Sequence, residues 1–228
     1  MTIFTEWFLK NPDAKKWHTG VLSDLIISTM GGDWGKESEV GNYKEQVYCI
    51  RGADIPEVNI GNKGKMPTRF ILTKNYKNKK LVEGDIVVEI SGGSPTQSTG
   101  RVAFVSQSLL DRYDKGLVCT NFCRAVKPKK GYSMFVYYYC KYLYEKSVFF
   151  LYENGITGIK NLDINGFINA EKIVIPPKDL LSKFNDFCQR VYSQIFKNGI
   201  SSEKLSELRD SLLPKLMSGE IDVSNIKI

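Results

Sequence analysis

The stretch Leu208-Arg-Asp-Ser-Leu-Leu-Pro-Lys-Leu-Met-Ser-Gly-Glu-Ile-Asp-Val223 decides how the rest of this 228-residue chain is read. Leu205, Leu208, Leu212 and Leu216 recur at steps of three or four, which places them on one stripe of a helix. Gly219 stands where a left-handed residue ends such a helix. Upstream, Leu181, Phe184, Cys188, Val191 and Ile195 keep the spacing of a coiled-coil seam. Asn198 and Gly199 interrupt it, and the leucines resume out of phase, so the pattern predicts a kink or two helices, with Pro214 as a further place to bend. Pro176 and Pro177 close what comes before. The reading is a globule over 1–177 and a helical arm over 178–228 whose apolar stripe requires a partner.

The globule reads as α+β. Short apolar runs between Gly, Asn and Pro predict strands at Glu45 to Ile50, Phe70 to Thr73, Asp85 to Ile90, Arg101 to Ser106 and Lys172 to Ile175. Phe135 to Leu151 has aromatic residues at helical spacing and predicts one buried helix. Strands outnumber plausible crossover helices, which argues against a repeated βαβ array.

Charge points to a polyanion. The net charge is +7, and seven Lys and Arg balance seven Asp and Glu from 179 onward, so all the excess but that of Lys178, the arm's first residue, precedes the arm. Between Asn62 and Lys80 lie Lys63, Lys65, Arg69, Lys74, Lys77, Lys79 and Lys80 with no acidic residue, a pattern suited to phosphate. Base reading needs side chains such as Arg, Asn, Gln and Thr on loops, and three loops supply them. Gly31-Gly-Asp-Trp-Gly-Lys-Glu37 offers Trp34 and Lys36; Ser91 to Arg101 offers Gln97 and Arg101; Glu153 to Lys160 offers Asn154, Thr157 and Lys160.

Catalytic patterns are thin. His18 is the single histidine, and neither G-x-G-x-x-G after a strand nor G-x-x-x-x-G-K-[ST] occurs. Asp85 and Glu89 resemble the spaced carboxylates of metal-dependent nucleases, but Ser91 stands where the usual lysine would be; the structural alternative is a strand with alternating exposed carboxylates. Cys49, Cys119, Cys123, Cys140 and Cys188 read as reduced core thiols, because the C-x3-C pair has no second pair and no metal is expected. No window approaches the roughly 20 apolar residues of a membrane span, so the expected compartment is the cytoplasm.

The wording of the closing helix, Leu-Arg-Asp-x-Leu-Leu-Pro-Lys-Leu-x-Ser-Gly-Glu over 208–220, closely resembles the distal conserved helix of type I restriction-modification specificity subunits. Leu22-Ser-Asp-Leu-Ile26 with the Gly31 to Glu37 loop looks like the opening of a target recognition domain of that family. Gly84-Asp-Ile-Val-Val88 to Gly100-Arg-Val-Ala-Phe-Val105 is similar to its central block, and Gly158-Ile-Lys-Asn-Leu162 with Ile173-Val-Ile-Pro-Pro177 to its closing segment. The resemblance implies a target recognition domain followed by a helical spacer and dimerisation arm, with no catalysis and no cofactor of its own. It implies double-stranded DNA, modification (methyltransferase) subunits and a restriction subunit as partners. Because one reader precedes one arm, the chain looks like a half-length subunit that acts as a homodimer on two inverted copies of one half-site. The alternative is an interaction module, or decoy, that docks on modification subunits through the arm without specific DNA binding.

Overall fold

A computed structural model describes residues 1–92, 94, 96–155 and 160–221. In chain order these form α1 (Thr2–Phe4), β1 (His18–Val21), β2 (Ile26–Gly31), β3 (Tyr43–Ile50), α2 (Ile55–Asn59), β4 (Thr68–Leu72) and α3 (Thr73–Lys79). Then follow β5 (Ile86–Glu89), β6 (Ser91–Gly92), β7 (Val102–Phe104), α4 (Gln107–Leu110), β8 (Leu117–Cys119) and β9 (Cys123–Pro128). The rest is α5 (Ser133–Glu145), β10 (Glu153–Asn154), β11 (Lys160–Leu162), α6 (Ile164–Ala170), β12 (Lys172–Ile175) and α7 (Lys178–Met217). The architecture is α+β with mixed small sheets and a long final helix, as the sequence pattern predicts.

The main sheet has the order β2-β9-β5-β7, with β9 and β5 as its inner strands. Ile86, Val87 and Val88 are all buried, which a strand covered on both faces requires and a continuous apolar run supplies. A second sheet, β4-β3-β8, joins β3 to β8 in parallel and to β4 antiparallel. A small third sheet, β10-β11-β6, links the segments around residues 91 and 160. β1 pairs with β12, His18 opposite Ile175, and so returns the chain to its beginning just before α7 starts.

The aromatic helix forms over Ser133–Glu145 and gives way to a 3-10 turn over Val148–Tyr152, so the predicted single helix to Leu151 is two pieces. Ser147 between them is left-handed, with φ of 59°, which an α-helix does not accommodate. Phe135 on α5 meets Phe8 edge-on at 4.9 Å, and Phe8 meets Phe184 of α7 at the same distance. This aromatic cluster roots α7 in the globule; burial of a side chain the size of Phe184 contributes about 1.5–3 kcal/mol.

Two expectations for the arm are corrected. α7 is one continuous 40-residue helix rather than a broken pair, and both Asn198 and Gly199 lie inside it. Its inner face is Leu181, Phe184, Cys188, Tyr192, Phe196 and Gly199, all buried against the globule. The proposed seam therefore divides: Leu181, Phe184 and Cys188 pack inside their own chain, and Val191 and Ile195 are half-buried beside them. Leu205, Leu208, Leu212, Leu213, Leu216 and Met217 remain exposed. The helix ends as predicted, with Gly219 left-handed at φ of 75°. No described helix is long and apolar enough to cross a membrane.

Candidate nucleic-acid interface

The Gly31 to Glu37 loop is shaped by two glycines. A Cβ on Gly32 would stand 1.9 Å from the Thr120 carbonyl oxygen, and Gly35 is left-handed with a Cβ position 2.3 Å from the Phe70 oxygen. Only glycine lets the loop lie that close to β4 and to the turn after β8. The Asp33 amide donates to Cys119 O (2.8 Å), and its carboxylate accepts from the Gly35 amide (3.0 Å) and from Asn75 Nδ2 (2.6 Å). Lys79 Nζ donates to Gly32 O at 2.7 Å. The loop is thereby tied to α3, and the result is a fixed position for Trp34.

Trp34 has a guanidinium on one face. The Arg69 Cζ lies 3.7 Å from its ring centre, and the Arg69 side chain is buried with one ion pair, to the exposed Glu37 at 3.0 Å. Its buried Nε has no hydrogen-bond partner among the described residues. A buried cation so sparsely paired is costly, and the stacking on tryptophan offsets part of that cost. Arg69 is thus a support beneath Trp34 rather than a free base reader. Lys36, whose backbone pairs with Phe70, keeps an exposed side chain within 5.7 Å of the Tyr43 ring.

The second and third loops are joined. Ser91 pairs with Asn161 and Gly92 with Lys160, while Asn154 pairs with Asn161 from the other side. Glu153 accepts from the Thr99 amide (2.6 Å), the Thr99 hydroxyl (2.8 Å) and Lys160 Nζ (3.0 Å). Burial pushes the Glu153 carboxyl up, but these donors outweigh it and hold its pKa below the ordinary value. Lys160 also lies over Phe150 at 4.6 Å. Arg101 grips Glu89 with both ends of its guanidinium, at 2.7 and 2.6 Å, and this hydrogen-bonded pairing raises its pKa. Gln97 and Asn154 are exposed. Thr157 lies outside the described residues.

Between the first loop and the second is a cleft of about 400 Å³ lined by Trp34, Arg51, Glu89, Ser91, Asn121 and Phe122. Three of these, Arg51, Asn121 and Phe122, were not picked out from the sequence. Phe122 is 60% exposed at the rim, an apolar ring facing water beside an amide. The sequence signal available for it was an Asn-Phe pair in a turn, Thr120-Asn-Phe-Cys123, which on pattern alone is indistinguishable from any strand connection.

The lysine run is split in space. Lys74, Lys77 and Lys80 are exposed on and just after α3, beside the first loop. Lys63 is elsewhere, with its ammonium over Tyr113 at 4.9 Å and its backbone tied to α7. Lys65 is exposed, and its amide donates to Asp54 at 3.0 Å.

The two carboxylates of the nuclease reading are buried, not alternately exposed, and each has its own cation: Asp85 with Lys127 (2.9 Å) and Glu89 with Arg101. They converge on no common point, and no group of three metal-ligating side chains occurs among the described residues. All five cysteines are free and buried, and burial pushes the thiols of Cys49, Cys123, Cys140 and Cys188 up to about 12.

This α+β globule with its root-anchored helix has the fold of type I restriction-modification S chains. It matches the S subunit from M. genitalium with a TM-score of 0.52 at 18% identity, over 89% of this chain and 46% of that one. A chain from a type I R-M system studied for complex assembly and conformational transition matches with a TM-score of 0.51 at 13% identity, over 87% and 45%. In sequence, the MjaIX specificity subunit of Methanocaldococcus jannaschii is 27% identical over 252 aligned positions, covering 99% of this chain and 53% of that protein. The HindI specificity subunit of Haemophilus influenzae is 34% identical over 68 residues, 30% of this chain and 15% of that one. No family model matches the chain. The chain is thus similar in sequence and in fold to type I restriction-modification specificity subunits, and it spans about half the length of the relative that it matches over 99% of its own residues.

Proposed function

We propose that the chain is a sequence-specific DNA-recognition subunit, reads one half of a bipartite site and recruits modification and restriction subunits, and works as a homodimer paired through the outer half of α7. The observation that carries this reading is the meeting of the first two polar loops at one cleft, with the third loop hydrogen-bonded to the second and the lysines of α3 beside the first. Exposed Lys74, Lys77 and Lys80 suit phosphate contact, which positions a protein on a duplex, and Trp34, Lys36, Gln97, Asn121, Phe122 and Asn154 suit contact with bases. The catalytic chemistry belongs in this reading to the modification and restriction subunits. Methylome sequencing of cells carrying this chain and one modification subunit tests it. Two inverted copies of one half-site are expected; two unrelated halves written by this chain alone would overturn the homodimer.

A second reading keeps the partner and drops the DNA. The exposed stripe Leu205, Leu208, Leu212 and Leu216 would dock a decoy on a modification subunit as well as it would pair two copies. DNA retardation with and without modification subunit separates the two, since a decoy shows no sequence preference in either case.

A further inference from the structure

α7 leaves the globule at one place, and the contacts there differ in kind from those at its root. From Lys204 to Met217 every residue is exposed, and among the described residues Glu203 is the last of the helix to hydrogen-bond with the globule. Its carboxylate accepts the Lys63 amide at 3.0 Å and pairs with the guanidinium of Arg112, which itself donates to Gly61 O at 2.9 Å. Tyr113, next to Arg112, donates its hydroxyl to the Lys63 carbonyl. One turn earlier, Gly199 packs directly on the same segment: a Cβ there would stand 2.1 Å from Gly61 O. Gly61 is left-handed at φ of 85°, and a Cβ on it would meet the Ile195 oxygen at 2.3 Å. Two segments far apart in sequence, 61–63 and 112–113, thus hold the helix by backbone contact and charge, where greasy packing alone would let it slide.

We infer that Glu203, Arg112 and the Gly61–Gly199 contact form a clamp that fixes the direction in which α7 leaves the reader, and that they are positioning residues for the distance between two half-sites. The second half of this inference rests on the proposed reading; the first does not. The leverage supports it. The free arm is 14 residues long, about 21 Å, and a 10° swing at its exit moves its end by about 3.7 Å, close to the roughly 3.4 Å rise of one base pair. A reader held this way selects a spacing, and one released from the clamp tolerates its neighbours.

Spin labels on cysteines placed at Lys44 and Ser211, both exposed, measure the arm directly in full-length chain diluted with unlabelled protein; the native cysteines are buried and stay unlabelled. A narrow distance distribution is expected for the wild-type arm, a broad one for Glu203→Ala and Arg112→Ala, and a displaced one for Gly199→Ala, with Glu203→Gln narrower than Glu203→Ala. Unchanged distributions in Glu203→Ala and Arg112→Ala, with circular dichroism showing the fold intact, would overturn the clamp whatever the DNA result. In parallel, unlabelled Glu203→Ala with a modification subunit is expected to methylate sites with one base pair more or fewer between the half-sites at a rate within about tenfold of the preferred spacing. Broadened distances with wild-type spacing selectivity would leave the clamp standing and overturn its part in setting the spacing.

Discussion

At the scale of single residues, side-chain type does not disclose whether a cation is free. Arg69, Arg101 and Lys160 all have the chemistry for base or phosphate contact, yet the fold commits them to Trp34, Glu89 and Glu153. Their work is to hold the loops on which other residues stand. Glu153 gives this a measurable form, because it staples the second loop to the third through Thr99 and Lys160. Its folded pKa is depressed, so the stabilisation it supplies is fully present above the unfolded carboxylate pKa and is lost as pH falls through the folded value. The window therefore opens below about 4.5. Exchange of the Thr99 amide, corrected for intrinsic rate, should be slow at neutral pH and accelerate below that point. In Glu153→Gln it should be fast already at pH 7. A Thr99 amide as well protected in Glu153→Gln as in the wild type at pH 7 would show that the staple contributes nothing.

At the scale of elements, β3, β4, β5, β7 and β12 were legible because each coincides with an apolar run bounded by turn residues, and the Lys172–Ile175 prediction matches to the residue, whereas two-residue polar strands such as β6 and β10 carry no such signal. The arm was legible as a helix, but its two faces were not. Leu181, Phe184 and Cys188 carry a spacing that fits a coiled-coil seam and a surface packed on the globule equally well, and only the aromatic cluster of Phe4, Phe8 and Phe135 decides between them. Gly199 looked like a break because glycine weakens an isolated helix by about 1 kcal/mol relative to alanine, whereas here it permits the close approach of Gly61. The cleft was half legible: its loops declared themselves by Gly and polar residues, but Arg51, Asn121 and Phe122 come to it from segments brought near by the parallel pairing of β3 with β8. α3 yields the prediction at this scale. Replacing Lys74, Lys77 and Lys80 by Ala should reduce the slope of log affinity against log salt by about 2.7 if each neutralises one phosphate. Lys79 is left out because its ammonium is already spent on Gly32 O. An unchanged slope in fluorescence anisotropy titrations would remove α3 from the DNA contact.

At the scale of the whole molecule, a basic globule carries an arm whose acidic and basic residues nearly balance. The arm's outer stripe is exposed, with Leu208 at 53% and Leu212 at 38%, so substitutions there should leave the globule's own stability nearly unchanged. Leu208→Asp with Leu212→Asp introduces like charges into any paired stripe and should convert a dimer to monomers in sedimentation, at an unaltered Tm for the globule. The functional consequence follows from tethering. When two readers are joined, the second binds its half-site at the effective concentration set by the arm, and losing the joint typically forfeits about 10²–10⁴-fold in affinity for the full site. The double variant should therefore bind a single half-site as the wild type does, and bind the two-half-site duplex that much more weakly. Equal weakening on both DNAs would place these leucines in the reader instead, and a wild-type chain that sediments as a monomer at micromolar concentration, with or without DNA, would leave the stripe to a modification subunit rather than to a second copy.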